Sequence, residues 1–186
     1  NSKKMIIETI ISTIDTKKKV NFAPFGIKKN KNFIFISPYI PSKTLENLKE
    51  NKIATVNYTD KSSFFINCII KKKRFKKRKC FKINGYFLKD ALAHDEVVVE
   101  SVKNDKVRPT FKCRIVNQCS HNRFEGFNRA DASLIEACIL ASRVKILGKD
   151  FILNSLKNLY IPVEKTGGKL EKHNFDLIKN YILEKF

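Results

Sequence analysis

The order of hydrophobic and polar residues along the chain predicts an antiparallel β protein that ends in helices. Short apolar runs with polar insertions, separated by turns, are typical of strands. Seven segments have this pattern: MIIETIISTI, VNFAPFGI, NFIFISPY, IATVNYT, SFFINCII, DEVVVESV and TFKCRIVN. Between the third and the fourth, KTLENLKEN places Leu45 and Leu48 on one helical face and charged residues on the other. Because helices do not alternate with strands, we expect a sandwich or a closed barrel.

The pattern changes near residue 126. There GFNRADASLIEACILASRVKIL predicts a helix that is apolar on most faces and has to be covered on most of them. Two further helices are predicted at KDFILNSLKNLY and LEKHNFDLIKNYILEKF, with a loop IPVEKTGGK between them in which Gly167 and Gly168 end the first. We therefore predict an α+β protein: a β domain at 1–125, and a C-terminal helical region at 126–186 packed on the barrel or at a dimer interface.

The charge of the chain points to an acidic partner. The sequence has 38 Lys and Arg against 18 Asp and Glu, a formal net charge of +20, which suits nucleic acid or a phosphorylated ligand. Compositional drift toward Lys, Asn and Ile is the alternative. The densest run, KKKRFKKRKC at residues 71–80, predicts an exposed, mobile loop. Lys71 to Lys79 is thus a candidate site for an anionic ligand or nucleic acid, with Phe75 available for stacking, unless drift alone explains it.

The cysteines and histidines predict no metal or redox site. None of the five cysteines has the C-x-x-C spacing, and isolated thiols suggest a reducing compartment. The histidines, His94, His121 and His173, lack the spacing of metal ligands. No apolar stretch is long enough to span a bilayer. We therefore expect a cytoplasmic protein without a metal, and no side chain stands out as a catalytic acid or base.

The segment SPYIPSKTLENLKENKIATVN contains a candidate phosphate site at the start of its helix. Pro41 ends the preceding strand, and Ser42 is a plausible N-cap. A phosphate suits this helix start for two reasons. The backbone offers unpaired N–H groups and the positive end of the helix dipole, and the side chains offer the Ser42 and Thr44 hydroxyls and the Lys43 ammonium. The alternative is a helix capped for stability alone.

Two groups of segments resemble a known family. The succession IIETIISTI, NFAPFGI and SPYIPSKTLENLKENKIATVNYTD resembles the front half of the flavin reductase-like, FMN-binding split-barrel proteins. The segments GFNRADASLIEACILASRVKIL and VEKTGG resemble the family called domain of unknown function 447, which lies within that superfamily. The resemblance covers nearly the whole chain and implies a predominantly antiparallel split β-barrel of Greek-key type, an FMN cofactor and a homodimer.

The resemblance also implies where the FMN lies. One group of residues would lie near the isoalloxazine ring: Asn21, Phe22, Ala23, Pro24, Phe25 and Gly26. A second group would approach the ribityl chain and the phosphate: Pro38, Tyr39, Ser42, Lys43 and Thr44, with Asn47 and Asn57 in the family's T-x-x-N…VN pattern and Asn128 and Arg129 completing the phosphate site. For Arg129 the alternative is an ion pair with Glu136 or a salt bridge at an interface. For NFAPFG the alternative is an ordinary strand with a proline bulge.

The function implied by the resemblance is that of a flavoprotein, such as a flavin-dependent reductase of a small, pterin-like substrate. The family's association with tetrahydromethanopterin-type cofactor synthesis favours a pterin. Two alternatives remain at this point: a basic nucleic-acid-binding protein built on a barrel scaffold, and an FMN carrier without turnover.

Overall fold

The computed structural model describes residues 5–71 and 74–186. Their elements follow in the order β1 (Ile7–Ile14), β2 (Val20–Lys29), β3 (Phe33–Ile36), α1 (Lys43–Asn51), β4 (Ile53–Tyr58), α2 (Ser62–Ile70), β5 (Lys77–Lys79), β6 (Tyr86–Leu88), β7 (Ala93–Lys103), β8 (Thr110–Ser120), α3 (Arg129–Ser142), α4 (Lys149–Thr166) and α5 (Lys169–Leu183). These residues form two compact units, a barrel unit built from the described part of Asn1–Thr59 with Phe75–Arg123, and a helical unit built from the described part of Asp60–Arg74 with Phe124–Phe186.

The barrel unit is a closed six-stranded barrel. Its strands neighbour one another in the order β1-β2-β3-β8-β7-β4, every pair is antiparallel, and β4 pairs with β1 to close the ring. Alternate side chains point inward, and they form one core: Ile11, Ile27, Ile34, Ile36, Ala54, Val56, Val97, Phe111 and Cys113. The predicted α+β fold with an antiparallel barrel is confirmed.

Helix α1 contributes directly to the barrel core. Leu45 and Leu48 lie three residues apart, hence on one face of the helix, and both are buried in the core cluster. The charged residues of the helix, including Lys49 and Glu50, are exposed. The amphipathic pattern of KTLENLKEN therefore predicted this helix correctly. Because Leu45 and Leu48 anchor α1 in the core, the segment that leads into the helix at Ser42 is held in place too.

A small hairpin, β5 paired with β6, belongs to the same unit. Ser12 Oγ on β1 donates to the Tyr86 carbonyl over 2.6 Å, and Leu88 N–H donates to Asn57 Oδ1 over 2.8 Å. The prediction of a mobile loop at residues 71–80 is wrong for Lys77–Lys79, because these residues form β5. Lys72 and Lys73 of the predicted loop lie outside the described residues.

The helical unit packs α2, α3, α4 and α5 around a core of its own. The buried hydrophobic residues of this unit are Phe65, Ile66, Ala130, Leu134, Ala137, Cys138, Val144, Ile152, Leu156, Val163, Phe175, Ile178 and Ile182. On α3 the residues Ile135, Ile139 and Leu140 are half-buried, so this helix is covered on most of its faces, as its apolar pattern requires. None of the helices in the described part of the chain has the length and hydropathy needed to cross a membrane.

The segment SFFINCII, predicted as a strand, is helix α2 instead. Its N-cap residue, Lys61, gives the helix no side-chain hydrogen bond. The missing cap comes from α3, where Asp131 Oδ1 accepts hydrogen bonds from Ser62 N–H over 2.8 Å and Ser62 Oγ over 2.6 Å. A carboxylate at a helix start also interacts favourably with the helix dipole. The described residues between Asp60 and Arg74 thus interrupt the barrel sequence and fold with the helices, although the predicted domain 1–125 includes them.

Replacing Asp131 with alanine should lower the free energy of unfolding by about 1–3 kcal/mol, since it leaves the buried Ser62 N–H and hydroxyl without an acceptor. Urea unfolding followed by circular dichroism measures this change. The control is Glu136→Ala, because Glu136 is exposed on the same helix. Equal stability of the two variants would show that Asp131 does not hold the start of α2.

The predicted loop IPVEKTGGK is largely helical, since α4 continues through Pro162 to Thr166. The prediction that the glycine pair ends the helix is confirmed: Gly167 is the C-cap of α4, and Gly168 is the N-cap of α5. A Cβ on Gly167 would lie 2.6 Å from the Val163 carbonyl oxygen and 3.3 Å from the Ala130 Cβ. The contact with the Val163 carbonyl, in the last turn of α4, is too short for any side chain, and the start of α3 leaves little room to shift.

Candidate functional site

The start of α1 has the geometry predicted for it. Ser42 has extended backbone angles, and its Oγ accepts a hydrogen bond from Leu45 N–H over 3.3 Å, which confirms the predicted N-cap. The N–H groups of Lys43 and Thr44 come before the first hydrogen-bonded turn, so they have no partner within the helix. Together with the helix dipole they make this end of α1 attractive to an anion.

The polar side chains at this end divide into an exposed and a buried group. Lys43 is exposed and pairs with Glu46 over 3.1 Å. Thr44 is only 2% exposed, and its Oγ1 accepts a hydrogen bond from Asn21 Nδ2 over 3.2 Å. Asn47 is fully buried, and its Nδ2 donates to Thr13 Oγ1 over 2.9 Å. Asn47 Oδ1 has no hydrogen-bond partner among the described residues.

Strand β2 carries the predicted ring-binding segment Asn21 to Gly26. It pairs with β1 without a register shift, and Pro24 lies opposite Ile10, so the alternative of a proline bulge does not apply. Phe25 packs against the barrel core, whereas Pro24 is exposed. The ring of Phe22 lies 4.8 Å from that of Phe75. At Gly26 a Cβ would approach Ile6 Cγ2 to 2.7 Å.

A groove with a cationic lining runs beside this strand in the barrel unit. It has a volume of about 620 Å³, and Gly26 and Phe35 lie in its wall. Four of its lining residues are cations, and none is an acid: Lys28, Lys103, Arg108 and Lys112. Arg108 Nε donates to the Ser37 carbonyl over 2.7 Å, and its guanidinium lies 4.7 Å from the centre of the exposed Tyr39 ring. The groove therefore borders two predicted site segments, and it favours an anion.

Two of the predicted site residues have structural contacts that use their amides. The Asn57 amide donates to the Ile10 carbonyl (2.9 Å) and Ser12 Oγ (3.0 Å), and it accepts from Leu88 N–H. In the helical unit, Asn128 caps α3 through Ala130 N–H over 2.7 Å and donates to the Thr166 carbonyl over 3.1 Å. A ligand contact by either amide stays a prediction.

The remaining predicted residues have less defined surroundings. Pro38 is buried just before the exposed Tyr39, and Ala23 is half-buried on β2. Arg129 is the first residue of α3 and is exposed. Among the described residues, Arg129 and Glu136 do not form the ion pair that was the alternative for them. Asn128 and Arg129 belong to the helical unit, while the other predicted site residues belong to the barrel unit.

A polar network around the buried carboxylate of Asp95 was not predicted. Asp95 Oδ2 accepts from Lys29 Nζ over 2.5 Å and from Tyr58 OH over 2.7 Å, and Gln118 Nε2 donates to Asp95 Oδ1 over 3.1 Å. Burial, and then the hydrogen bond to the Asp95 carboxylate, raise the pKa of Tyr58. Tyr58 therefore stays protonated and serves as a hydrogen-bond donor. No sequence motif marks this network, since its members come from four strands.

The basic run has an ordered part with a structural explanation. Lys77, Arg78 and Lys79 form β5, which among the described strands pairs with β6 alone and has exposed side chains. Charged residues on such an edge strand prevent pairing with other chains. This explanation needs no ligand, so the predicted binding of an anionic ligand or nucleic acid to Lys71–Lys79 stays a prediction.

Comparison with solved structures finds proteins of the same architecture. An FMN-bound protein from Methanosarcina mazei, MM1853, superimposes with a TM-score of 0.81 at 22% identity, over 96% of each chain. The 2-nitrobenzoate 2-nitroreductase NbaA of Pseudomonas fluorescens gives 0.55 at 16% identity, over 64% of this chain and 67% of its own. A flavoredoxin from Methanosarcina acetivorans superimposes with a TM-score of 0.55 at 15% identity, over 68% of this chain and 77% of its own. The split-barrel fold is thereby confirmed.

Comparison of the sequence with family models identifies the family. No curated protein matches the sequence significantly. The N-terminal domain model of the protein of unknown function DUF447 matches residues 7–122, and the corresponding C-terminal model matches residues 128–180. The two matches follow one another in this order and together cover most of the 186 residues. The resemblance in sequence is confirmed, and the chain belongs to the DUF447 family.

Proposed function

We propose that this protein is an FMN-binding flavoprotein whose flavin phosphate binds at the start of α1. The observation that carries the proposal is the capped, cationic start of this helix, in a chain that superimposes along 96% of its length on an FMN-bound member of the same family. The phosphate of FMN is a dianion, which suits unpaired backbone N–H groups, a hydroxyl and an ammonium group at one helix end.

The residues at this end fit the polar part of FMN. Lys43 and the first N–H groups of α1 would bind the phosphate, and the Ser42 hydroxyl can donate to it while accepting from Leu45 N–H. A ribityl hydroxyl is a donor, and the buried Asn47 Oδ1 is an acceptor without a partner among the described residues. The Thr44 hydroxyl accepts from Asn21 and still has a proton to donate. Hydrogen-bond donors and acceptors thus lie together at this end of α1, and FMN would reach Asn47 and Thr44 only by displacing the side chains that cover them.

The groove beside β2 supplies the environment for the rest of the chemistry. When bound, FMN supplies the transfer of a hydride or of single electrons to and from a substrate. Gly26 gives the groove wall a position without a side chain, Phe35 gives it an aromatic surface, and Lys28 with Lys103 makes it cationic. We propose that the protein acts as a reductase of a small, conjugated, anionic molecule, and a pterin-like compound is one that meets this description.

We propose further that the protein forms a homodimer. Large apolar side chains are exposed on both units: Met5 (76%) and Phe81 (66%) on the barrel unit, and Phe127 (96%) and Ile146 (80%) on the helical unit. Burial of such side chains against a second copy is favourable. Light scattering of the purified protein, loaded with FMN and without it, measures the mass in solution, and a monomer in both states would refute the dimer.

Reversing the charge of Lys43 tests the phosphate position. We expect Lys43→Glu to weaken FMN binding at least about tenfold, because it removes one cation and adds an anion beside the phosphate. Fluorescence quenching of FMN on titration measures the dissociation constant. The control is Lys49→Glu, since Lys49 is also exposed but lies in the last turn of α1. Ser42 and Thr44 are poorer choices, because both have structural hydrogen bonds.

Two outcomes of this titration contradict the proposal. If Lys43→Glu and Lys49→Glu bind FMN as tightly as the unaltered protein does, the phosphate does not bind at the start of α1. If both variants lose affinity equally, the effect comes from the net charge of the protein rather than from the helix start.

Replacing Lys77, Arg78 and Lys79 with glutamine in one variant should leave the FMN content unchanged, because all three residues are exposed and none belongs to the proposed flavin site. The absorbance ratio of flavin to protein after purification measures this. Titration of the same variant with single-stranded RNA tests the alternative function. RNA binding by the unaltered protein that disappears in this variant, with no flavin in either protein, would favour the nucleic-acid-binding function.

A further inference from the structure

The half-buried side chain of Cys80 and the buried side chains of His94 and Glu96 form a cluster on the barrel unit. Cys80 follows β5, while His94 and Glu96 lie two residues apart on β7 and therefore point to the same side of that strand. Thr55 lies opposite Glu96 on the neighbouring strand β4. The sequence spacing of these residues suggested no metal site, because closure of the barrel and folding of the hairpin are what bring them together.

The distances within this cluster suit a small metal ion. One ligand atom from each of the three residues lies within 4.8 Å of the others. His94 Nε2 and Glu96 Oε1 are 3.1 Å apart. In a tetrahedral zinc site with bonds of about 2.0–2.1 Å to nitrogen and oxygen, two such atoms are about 3.3 Å apart. A shift of a few tenths of an ångström is enough to admit the ion between them.

The donor set and its charge select zinc. A thiolate, an imidazole and a carboxylate are the three ligand types that zinc takes in proteins. The thiolate of Cys80 and the carboxylate of Glu96 together carry two negative charges, which a divalent ion neutralises. His94 and Glu96 are both 0% exposed, and a buried site of zero net charge avoids the cost of an unpaired buried charge.

Each of the three ligands already has a second partner that fixes its orientation. His94 Nδ1 lies 2.7 Å from His121 Nε2, so His94 can donate there while its Nε2 binds the ion. Glu96 Oε2 accepts from the N–H groups of Lys82 (2.6 Å) and Ile83 (3.0 Å), and Oε1 accepts from Phe81 N–H (2.7 Å) and Asn117 Nδ2 (3.1 Å). The ion would therefore replace the His94 contact at Oε1 and share this oxygen with two hydrogen bonds. Thr55 Oγ1 lies 3.1 Å from Cys80 Sγ. Outer partners of these kinds orient the ligands of zinc sites.

Aromatic rings shield the cluster on one side. The Phe87 ring stacks on His94 with centroids 4.1 Å apart and planes inclined by 8°, and Phe81 lies 6.1 Å from the same imidazole. Such a low-dielectric wall strengthens the bonds between a cation and its charged ligands. Phe81 is 66% exposed and His121 is exposed too, so the cluster lies directly beneath the surface, where an ion can enter.

We propose that Cys80, His94 and Glu96 bind one zinc ion per chain. The ion takes the place of the proton between His94 Nε2 and Glu96 Oε1 and the proton of the Cys80 thiol, and water takes the fourth position. The site ties the hairpin β5–β6 to β7 of the barrel. It is independent of the proposed flavin site, since the two share no residue.

Zinc competition on tag-free protein tests this proposal. The protein is stripped with a strong chelator, reloaded with zinc, passed through gel filtration and assayed for zinc by elemental mass spectrometry. Competition with a chromophoric zinc chelator then gives the affinity. We expect about one zinc per chain, and a loss of affinity of at least about tenfold in Cys80→Ser and in Glu96→Gln.

The matched control is Cys119→Ser. Cys119 lies opposite His94 on β8, and its Sγ accepts a hydrogen bond from Asn117, but it is not one of the three ligands. This variant should bind zinc within about twofold of the unaltered protein, since it retains the whole ligand set. Cys80→Ser changes a single half-buried atom, and circular dichroism confirms that it folds. The proposal is overturned if the unaltered protein retains no zinc, or if a folded Cys80→Ser variant binds zinc as tightly.

Discussion

Replacing Glu96 with glutamine is expected to lower the free energy of unfolding of the metal-free protein by about 2–4 kcal/mol. Glu96 is fully buried, and its carboxylate accepts hydrogen bonds from Phe81 N–H (2.7 Å), Lys82 N–H (2.6 Å), Ile83 N–H (3.0 Å) and Asn117 Nδ2 (3.1 Å). Burial alone would raise the pKa of Glu96, but the hydrogen bonds of these groups and of His94 lower it to about 2. Glutamine cannot accept all of these bonds, because one of its two polar atoms is a donor.

The control for Glu96 lies on the same strand. Glu100 is exposed, and it pairs with Lys112 and Arg114 at the surface. Such pairs contribute about 0–1 kcal/mol, so Glu100→Gln should change stability little. Urea unfolding of both variants in the presence of a chelator gives the two values. If Glu100→Gln costs as much as Glu96→Gln, the buried carboxylate is not what holds the segment from Phe81 to Ile83.

Replacing Asp95 with asparagine is the second change with a large expected effect, about 2–3 kcal/mol of lost stability. The carboxylate is 3% exposed and accepts hydrogen bonds from Lys29, Tyr58 and Gln118. Asparagine keeps the shape but removes the charge, so the Lys29 ammonium loses its counter-ion. The loss stays below that of a fully buried pair, because the Lys29 side chain is 25% exposed and water screens it.

The same unfolding measurement on Asp90→Asn is the control for Asp95. Asp90 is an exposed residue between β6 and β7, and surface substitutions of this kind usually change stability by less than about 0.5 kcal/mol. A second measurement separates the effect of charge from that of packing. The double variant Asp95→Asn/Lys29→Met has no unpaired ammonium, so it should lose less stability relative to the unaltered protein than Asp95→Asn alone does. If the stability lost in the double variant equals the sum of the losses in Asp95→Asn and Lys29→Met measured separately, the two residues are not coupled.

The barrel was largely predictable, because its strands and α1 carry local patterns. Alternation of apolar residues marked β1, β3 and β8, and spacing by three residues placed Leu45 and Leu48 on the buried face of α1. Pro41 and Ser42 marked the helix start through local backbone chemistry alone. Such rules for predicting strands, helices and helix caps depend only on neighbouring residues, so the sequence alone is enough to apply them.

Helix α2 shows where such rules fail. SFFINCII is a short apolar run, and periodicity does not distinguish a strand from a buried helix in a run of this length. The group that caps this helix is Asp131, which lies 69 residues from Ser62 in the sequence. Because the stabilising contact is tertiary, no inspection of the segment itself identifies it as a helix.

The candidate sites also differ in whether the sequence could reveal them. Ser42 and Lys43 were identifiable as candidates because a helix start is local, and the family resemblance placed the flavin there. The groove cations Lys28, Lys103 and Arg108 come from separate parts of the barrel, and so do Cys80, His94 and Glu96. Such sets are brought together by the antiparallel pairing of strands, so they become visible only once the register is known.

The central claim is that this protein binds FMN, and the visible absorption spectrum of freshly purified protein tests it most directly. We expect the absorption bands of a bound flavin, with FMN released on heating at about one per chain and identified by mass. Protein purified without colour should take up added FMN to the same ratio. A folded protein that is colourless and does not bind added FMN would contradict the account, and would leave a split barrel without a flavin.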